Sequence, residues 1–296
     1  MPELPDITIY IEALTARLVG QTVETIDIRN PFVLRSVTPP IAAAQAQTVR
    51  AVKRLGKRII IVLTGELYLI IHLMIAGRLR WGAPGSKPPG GKLTLAALYF
   101  ANGALFLTEA GTKRRASIHL VMGDGALRSF DRGGLEVLNA SLEEFVRRLR
   151  SENHTVKGAL TDPRLFSGIG NAYSDEILHR GGLSPMALTH RLSDEECARL
   201  YNAARAVLTE WIARLRRQTA GEFPESVTAF HPEMSVHGRF GLPCPVCGSP
   251  VQRIRYADNE TNYCARCQTG GKLLADRALS RLLKSDWPRS IDELDQ

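Results

Sequence analysis

Apolar residues at Ile7, Ile11, Leu14 and Leu18 recur at helical spacing and predict an amphipathic helix that Gly20 ends. From Thr22 to about Leu138 the pattern changes to short apolar runs, such as Ile59 to Leu63 and Leu67 to Leu73, split by Thr64-Gly65-Glu66. Asn102-Gly103 separates the strand-like runs Leu93 to Phe100 and Ala104 to Leu107, and a dipeptide that tolerates positive φ at both positions predicts a tight hairpin. Gly123-Asp124-Gly125 predicts a further turn. Many short strands at this spacing predict a β-sandwich or barrel. The stretch Gly82 to Gly91 holds three prolines and four glycines and predicts a mobile loop.

The second half is patterned for helices. Ser141-x-x-Glu144 is a capping box that opens a helix through Arg150, and Ser193-x-x-Glu196 opens a longer one to about Arg217. Between them Gly168-Ile169-Gly170-Asn171 leads into a helical run from Ala172 to Leu178. Two readings stand here: a helix start whose amides hold a phosphate, or a tight interhelical turn. Gln218 to Pro232 predicts a flexible loop. Beyond Lys272, the spacing of Leu273, Leu274, Leu279, Leu282 and Leu283 predicts one amphipathic helix packed on the body. The elements together predict an α+β multidomain chain.

Composition narrows the function classes. With 296 residues, 44% apolar and 23% charged, the chain is expected to form roughly two ordinary globular domains. No uncharged apolar run approaches the ~18 residues of a membrane span. The acidic, periodic start is unlike a signal peptide, so a cytoplasmic location is expected, nucleoid-associated in a bacterium. Net charge is +8, which favours a polyanionic partner, nucleic acid foremost. Most basic pairs fit solvated helix faces. Lys113-Arg114-Arg115 follows a strand-like run and a glycine, and is the better candidate for a groove or phosphate contact.

Four of the five cysteines form the pattern Cys244-x2-Cys247-x16-Cys264-x2-Cys267. Two knuckles supplying two thiolates each match one tetrahedral Zn2+ per chain. No further ligand leaves a coordination position open, so the site is expected to be structural. Cys197 sits in a helical pattern and is expected to be a small core residue.

The chain opens Met1-Pro2-Glu3-Leu4-Pro5-Asp6. Methionine before a small residue is normally removed, which makes Pro2 the N-terminus with a free secondary amine. Such an amine attacks an aldehyde-like carbon to give an iminium ion without a cofactor. An α-amino group titrates near ~8, so part of it is unprotonated at neutral pH. Glu3 is placed to move protons. Taken alone, the hexapeptide reads more readily as a stiff, acidic tail.

Three motifs together resemble the formamidopyrimidine-DNA glycosylase / endonuclease VIII family: Pro2-Glu3-Leu4-Pro5, the run from Gly168 through Asn171-Ala172-Tyr173-Ser174-Asp175 to Glu176, and the four-cysteine module. Leu55-Gly56-Lys57 and His72 to Arg78 are weaker matches in the same order. The resemblance implies an N-terminal helix plus β-sandwich over 1–138 and a helical helix–two-turn–helix domain over 139–232. A zinc finger over 233–272 and a C-terminal helical extension over 273–296 would follow. It implies base-excision repair of double-stranded DNA carrying damaged bases or abasic sites, by a monomer. The nucleotide is flipped out of the duplex, the proline amine displaces the base at the sugar C1′, and elimination cuts the strand. By residue, the resemblance makes Pro2 the nucleophile and Glu3 the proton carrier. It gives Lys57 a catalytic and DNA-binding place in a hairpin, sets His72 and Asn171 on neighbouring phosphates with Tyr173 nearby, and adds Lys157 as a further phosphate contact.

Departures from the family pattern are specific. Asp6 stands where glutamate is common. His72-Leu73-Met74-Ile75-Ala76-Gly77 replaces His-Leu-Gly-Met-Ser-Gly, so the wedge that fills the gap left by the flipped base would be Ile75. No aromatic follows Arg114 and Arg115, either of which could enter the minor groove. Asn259, followed by Glu260, stands where the family often has a phosphate-binding arginine. The expectation is a weakened finger contact and an impaired second elimination. Competing readings are a non-catalytic damage binder on the same scaffold, a proline-based tautomerase, and a zinc-ribbon regulator. The last two leave the zinc module or the N-terminus unexplained.

Overall fold

The structure is a computed structural model that describes every residue except 111–112, 226, 229, 257–258, 284–287 and 294–296, together with the side chains of 256 and 277–279. The chain divides into two units, 1–132 with 211–229, and 133–210 with 230–296.

The first unit begins with α1 (Leu4–Leu18). Ile7, Leu14 and Leu18 of the predicted stripe are fully buried, with Tyr10 beside them, while Ile11 is half-buried against the same core. Eight strands follow: β1 (Thr25–Ile28), β2 (Val49–Leu55), β3 (Arg58–Leu63), β4 (Leu67–His72), β5 (Gly77–Gly82), β6 (Thr94–Phe100), β7 (Gly103–Glu109) and β8 (Ser117–Met122). They form two antiparallel sheets, ordered β1-β6-β7-β5 and β2-β3-β4-β8. Ile59, Ile61, Leu69, Ile71 and Leu120 of one sheet share a core with Leu79, Leu98, Leu105 and Leu107 of the other and with α1. The runs in β3 and β4 do not alternate because Ile60 and Ile70, on the outer face, are buried as well. The predicted β6–β7 hairpin forms, but its two turn residues are Ala101-Asn102, and Gly103 opens β7 at φ +155°.

Two expectations change in this unit. Gly123 turns the chain at φ +81°, but Asp124-Gly125 then starts a short helix, α2 (Asp124–Arg128). The predicted loop from Gln218 is pinned to the core: Phe223 is buried, with its ring centroid 5.9 Å from that of Tyr10 and 6.4 Å from that of Trp81.

The second unit holds α3 (Leu142–Leu149), α4 (Val156–Thr161), α5 (Asn171–Gly181) and the first part of α6 (Asp194–Thr219), which continues into the first unit. Both capping boxes form. Ser141 Oγ accepts the Glu144 N–H at 3.1 Å and the Glu144 carboxylate accepts the Ser141 N–H at 2.8 Å; the Ser193 and Glu196 pair does the same at 3.2 and 2.9 Å. Cys197 is fully buried in α6. The finger adds the hairpin β9 (Gln252–Tyr256) and β10 (Asn259–Tyr263), then α7 (Ala265–Thr269).

The tail differs from its expected form. Its helix is only α8 (Arg277–Leu283), with Leu282 and Leu283 exposed. Leu273 and Ile291 supply its buried contacts, and both pack on the finger. Leu279 has its side chain outside the described residues.

Candidate functional site

In the first unit, Pro2, Glu3 and Asp6 are all buried at the start of α1. Glu3 is the N-cap, and Asp6 Oδ2 accepts the Glu3 N–H at 2.8 Å in a capping box. The aspartate that departs from the family pattern therefore still fixes the backbone next to Pro2. The α-amino group, carried by Met1 in the untrimmed chain, is held below its ordinary value of 8.0. Burial is the largest cause; Arg78 and Lys57 add to it, while Glu3 and Asp6 oppose it.

Lys57 sits in the two-residue turn between β2 and β3, after Gly56 at φ +60°. Burial lowers its proton affinity and the nearby Glu3 charge opposes that. The fold thus brings the amine, Glu3 and Lys57 into one electrostatic neighbourhood. His72 ends β4 opposite Arg58 and Ser117. Burial first, then the charges of Arg58, Lys57 and His119, push its pKa from 6.5 down to about 4. At neutral pH it is an uncharged imidazole that can offer one N–H.

Ile75 is 58% exposed on the turn between β4 and β5. Met74 adopts φ +53° there, and a Cβ on Gly77 would lie 2.2 Å from the Leu73 carbonyl oxygen, so this turn needs glycine at 77. Arg78, given no role by sequence, braces the turn. Its Nη1 donates to the carbonyls of Ile75 at 3.1 Å and Gly77 at 2.7 Å, and its Nε donates to Val227. The sequence places Arg78 directly after the wedge motif, which was the available signal. Arg114 and Arg115 are both exposed. Glu109, buried at the end of β7, accepts the backbone N–H of Arg115 at 3.0 Å and of Ala116 at 3.1 Å, anchoring the loop that carries both arginines.

The second unit arranges its charges differently. Lys157 on α4 spends all three ammonium donors inside the protein: on the Asn171 carbonyl at 3.1 Å, Ser174 Oγ at 2.9 Å and Asp175 Oδ1 at 2.5 Å. These bonds make Lys157 a brace on the start of α5. Tyr173 is fully buried, so its side chain packs α5 and does not face solvent as a phosphate neighbour would. Asn171 stays half-buried at the helix start, and its Nδ2 donates to the Glu260 carbonyl at 2.9 Å. Gly168 before it adopts φ +79°.

Sequence reasoning missed the network behind these residues. Asp175 Oδ2 pairs with His237 Nδ1 at 2.8 Å and accepts the Asn262 N–H at 3.1 Å. Glu176 accepts the backbone N–H groups of Ser235, Val236 and His237 at 2.8, 2.9 and 3.0 Å. The sequence signal was the adjacent acids Asp175-Glu176 directly before the apolar pair Ile177-Leu178.

Cys244, Cys247, Cys264 and Cys267 bring their sulfurs within 4.8 Å of one another. Pairs lie 3.9 Å (Cys244–Cys267) and 3.3 Å (Cys247–Cys264) apart. A tetrahedron of ~2.3 Å Zn–S bonds sets sulfurs about 3.8 Å apart, so the four ligands fit zinc. His179 Nε2 lies 3.3 Å from Cys244 Sγ and supports it from α5. Among the described residues no helix is long and apolar enough to cross a membrane.

Comparison with known proteins adds three family matches. The formamidopyrimidine-DNA glycosylase N-terminal domain matches residues 1–127, the formamidopyrimidine-DNA glycosylase H2TH domain 136–220, and the zinc finger found in FPG and IleRS 241–270. A formamidopyrimidine-DNA glycosylase of Solibacter usitatus is 32% identical over 276 residues, covering 90% of this chain and 99% of the relative. A formamidopyrimidine-DNA glycosylase-like protein of Mycobacterium tuberculosis is 41% identical over 151 residues, 51% of this chain and 94% of that relative. The crystal structure of the Fpg protein from Thermus thermophilus superposes with TM-score 0.73 at 31% identity, covering 90% of this chain and 98% of that one. The Lactococcus lactis Fpg in complex with abasic-site DNA gives TM-score 0.79 at 25% identity, covering 90% and 99%.

Proposed function

This chain belongs to the formamidopyrimidine-DNA glycosylase family, base-excision-repair DNA glycosylases with abasic-site lyase activity, and from that premise we propose how its own residues divide the work. With Met1 removed, the Pro2 nitrogen attacks C1′ of the damaged nucleotide and the base leaves as the ring opens. Glu3 protonates the opening sugar and later moves protons during elimination. Burial and the Arg78 and Lys57 charges lower the proton affinity of the α-amino group on Met1, and on our reading the same surroundings act on the Pro2 amine after trimming, which favours nucleophilic attack near neutral pH.

The grouping of the amine, Glu3 and Lys57 is the observation that carries this reading. Lys57, His72 and Asn171 hold phosphates near the lesion, which fixes register without reading sequence. Ile75 fills the space of the flipped base, and Arg114 or Arg115 enters the minor groove. Zinc, when bound, holds the two knuckles together and takes no part in the chemistry. Lys157 and Tyr173 act through α5 and not on DNA.

Borohydride trapping on a duplex with one abasic site tests the nucleophile. The expected result is a covalent adduct mapped to Pro2, weaker in Pro2→Gly, whose primary amine forms an imine instead of an iminium ion, and reduced by ~10²-fold or more in rate for Glu3→Gln. No adduct from a protein shown to lack Met1 and to bind the duplex would overturn it and leave a damage binder.

The finger motivates a second expectation. Asn259 is exposed where the family often has arginine, and Glu260 lies 3.7 Å from Arg253. Arg253 also stacks over Phe240 at 4.0 Å, so it is committed within the finger. We expect strand cleavage to stop mainly after the first elimination. Sequencing-gel analysis of the 3′ end would reject this if 3′-phosphate dominated.

A further inference from the structure

Small zinc modules ordinarily fold only around their metal, because their own apolar core is too small. This finger has two separate cores. One, of Val236, Cys244, Val251 and Cys264, surrounds the metal ligands. The other lies against the hairpin and joins Ile254, Tyr263 and Ala265 to Leu273 and Ile291, and contains no ligand. The finger family match ends at residue 270, and Leu273 and Ile291 lie beyond it.

The segment after 270 is built into the hairpin by specific bonds. Lys272 and Ser290 form an antiparallel bridge. The Leu273 N–H donates to the Arg289 carbonyl at 2.9 Å, and the Ile291 N–H to the Gly271 carbonyl at 2.8 Å. The Leu274 N–H donates to Tyr263 Oη at 2.8 Å. Asp276, only 2% exposed, accepts the Arg255 N–H at 2.8 Å, and so satisfies an edge amide of β9 that a two-stranded sheet leaves open. Arg266 on α7 pairs with Asp292 at 2.5 Å.

Register places Arg255 opposite Glu260 and Arg253 opposite Asn262, all on one face of the hairpin, while Ile254, Thr261 and Tyr263 point to the other. Thr261 and Tyr263 are buried with Ile254. The tail therefore covers the back of a hairpin whose front carries the arginines.

We propose that residues 271–276 and 289–293 are a metal-independent half of the finger, which keeps the β9–β10 hairpin folded when zinc is lost, with Asp276 as the positioning residue for the Arg255 edge. That the arginine face meets DNA rests on the glycosylase reading; the fold claim does not.

The test is amide hydrogen exchange on the full chain before and after zinc is stripped by a chelator. Expected is loss of protection in the knuckles at 244–249 with protection of 252–263 retained. Loss of both together would overturn the proposal. Ile291→Ala and Asp276→Ala, each compared with the full chain in the zinc-loaded state first, should keep the loaded hairpin but lose its protection on chelation. Retention in both variants also overturns it. Truncation after Gly270 is the stronger variant, and the two point variants decide the matter if it does not fold. Binding of a duplex carrying an abasic-site analogue is read in parallel: zinc-stripped full chain should keep more affinity than either zinc-stripped variant. Borohydride trapping at Pro2 in the same samples reports on the glycosylase reading separately.

Discussion

The two units hold their ionisable groups in opposite ways. In the first, the amine, Lys57 and His72 are pushed toward their uncharged forms chiefly by burial, with neighbouring cations adding to the effect on the amine and His72 and Glu3 opposing it on the amine and Lys57. In the second, Lys157, Asp175, Glu176 and His237 are paired and hydrogen-bonded within the fold. Groups left destabilised by burial are the ones an incoming anion would favour on the proposed reading, whereas charges that hold a helix in place are satisfied in advance. Lys57 and Lys157 carry the same side chain in different settings: burial lowers the proton affinity of one, and internal partners occupy the other.

The largest expected effect breaks the architectural half. Asp175 is fully buried beneath Lys157, whose side chain is 13% exposed. Asp175→Ala should cost about 3–5 kcal/mol, because it leaves a buried ammonium and His237 without their anion. Thermal unfolding checks this, and a Tm within a degree of the parent would refute the pairing argument.

Lys57→Met should separate the halves. The expected result is near-parental stability with weaker duplex binding, and a log K against log salt slope smaller by ~0.9 for one lost phosphate contact. Lys157→Met should lower stability and leave that slope unchanged. Equal slope changes for both lysines would erase the distinction.

The smallest effect concerns pH. His72 has a folded pKa of about 4 against 6.5 in its ordinary state. Between those values the unfolded chain binds the proton and the folded chain does not, so stability falls as pH drops from about 6.5 toward about 4. His72→Gln should flatten part of that loss, seen as a shallower fall of urea midpoint with acid. Duplex binding should raise the His72 pKa, since a phosphate favours the imidazolium, and an NMR titration with and without DNA would show no shift if His72 touched no phosphate.

What the sequence determined was local. The stripe in α1, the two capping boxes, the β6–β7 hairpin and the paired cysteines each depend on spacing over a few residues, and spacing survives folding unchanged. The motifs also named the residues proposed to carry the family's chemistry. Only tertiary structure decided the state of those residues. Lys157 meets an acid 18 positions away, Asn171 donates to a carbonyl 89 positions away, and His72 owes its neutrality to Lys57, Arg58 and His119 converging on it in a buried place. The tail shows the same limit: its leucines were legible, but their partners on the finger were not. Proton affinity and hydrogen-bond commitment depend on local dielectric and on neighbours the chain brings together from far apart, and no pattern of adjacent residues encodes either.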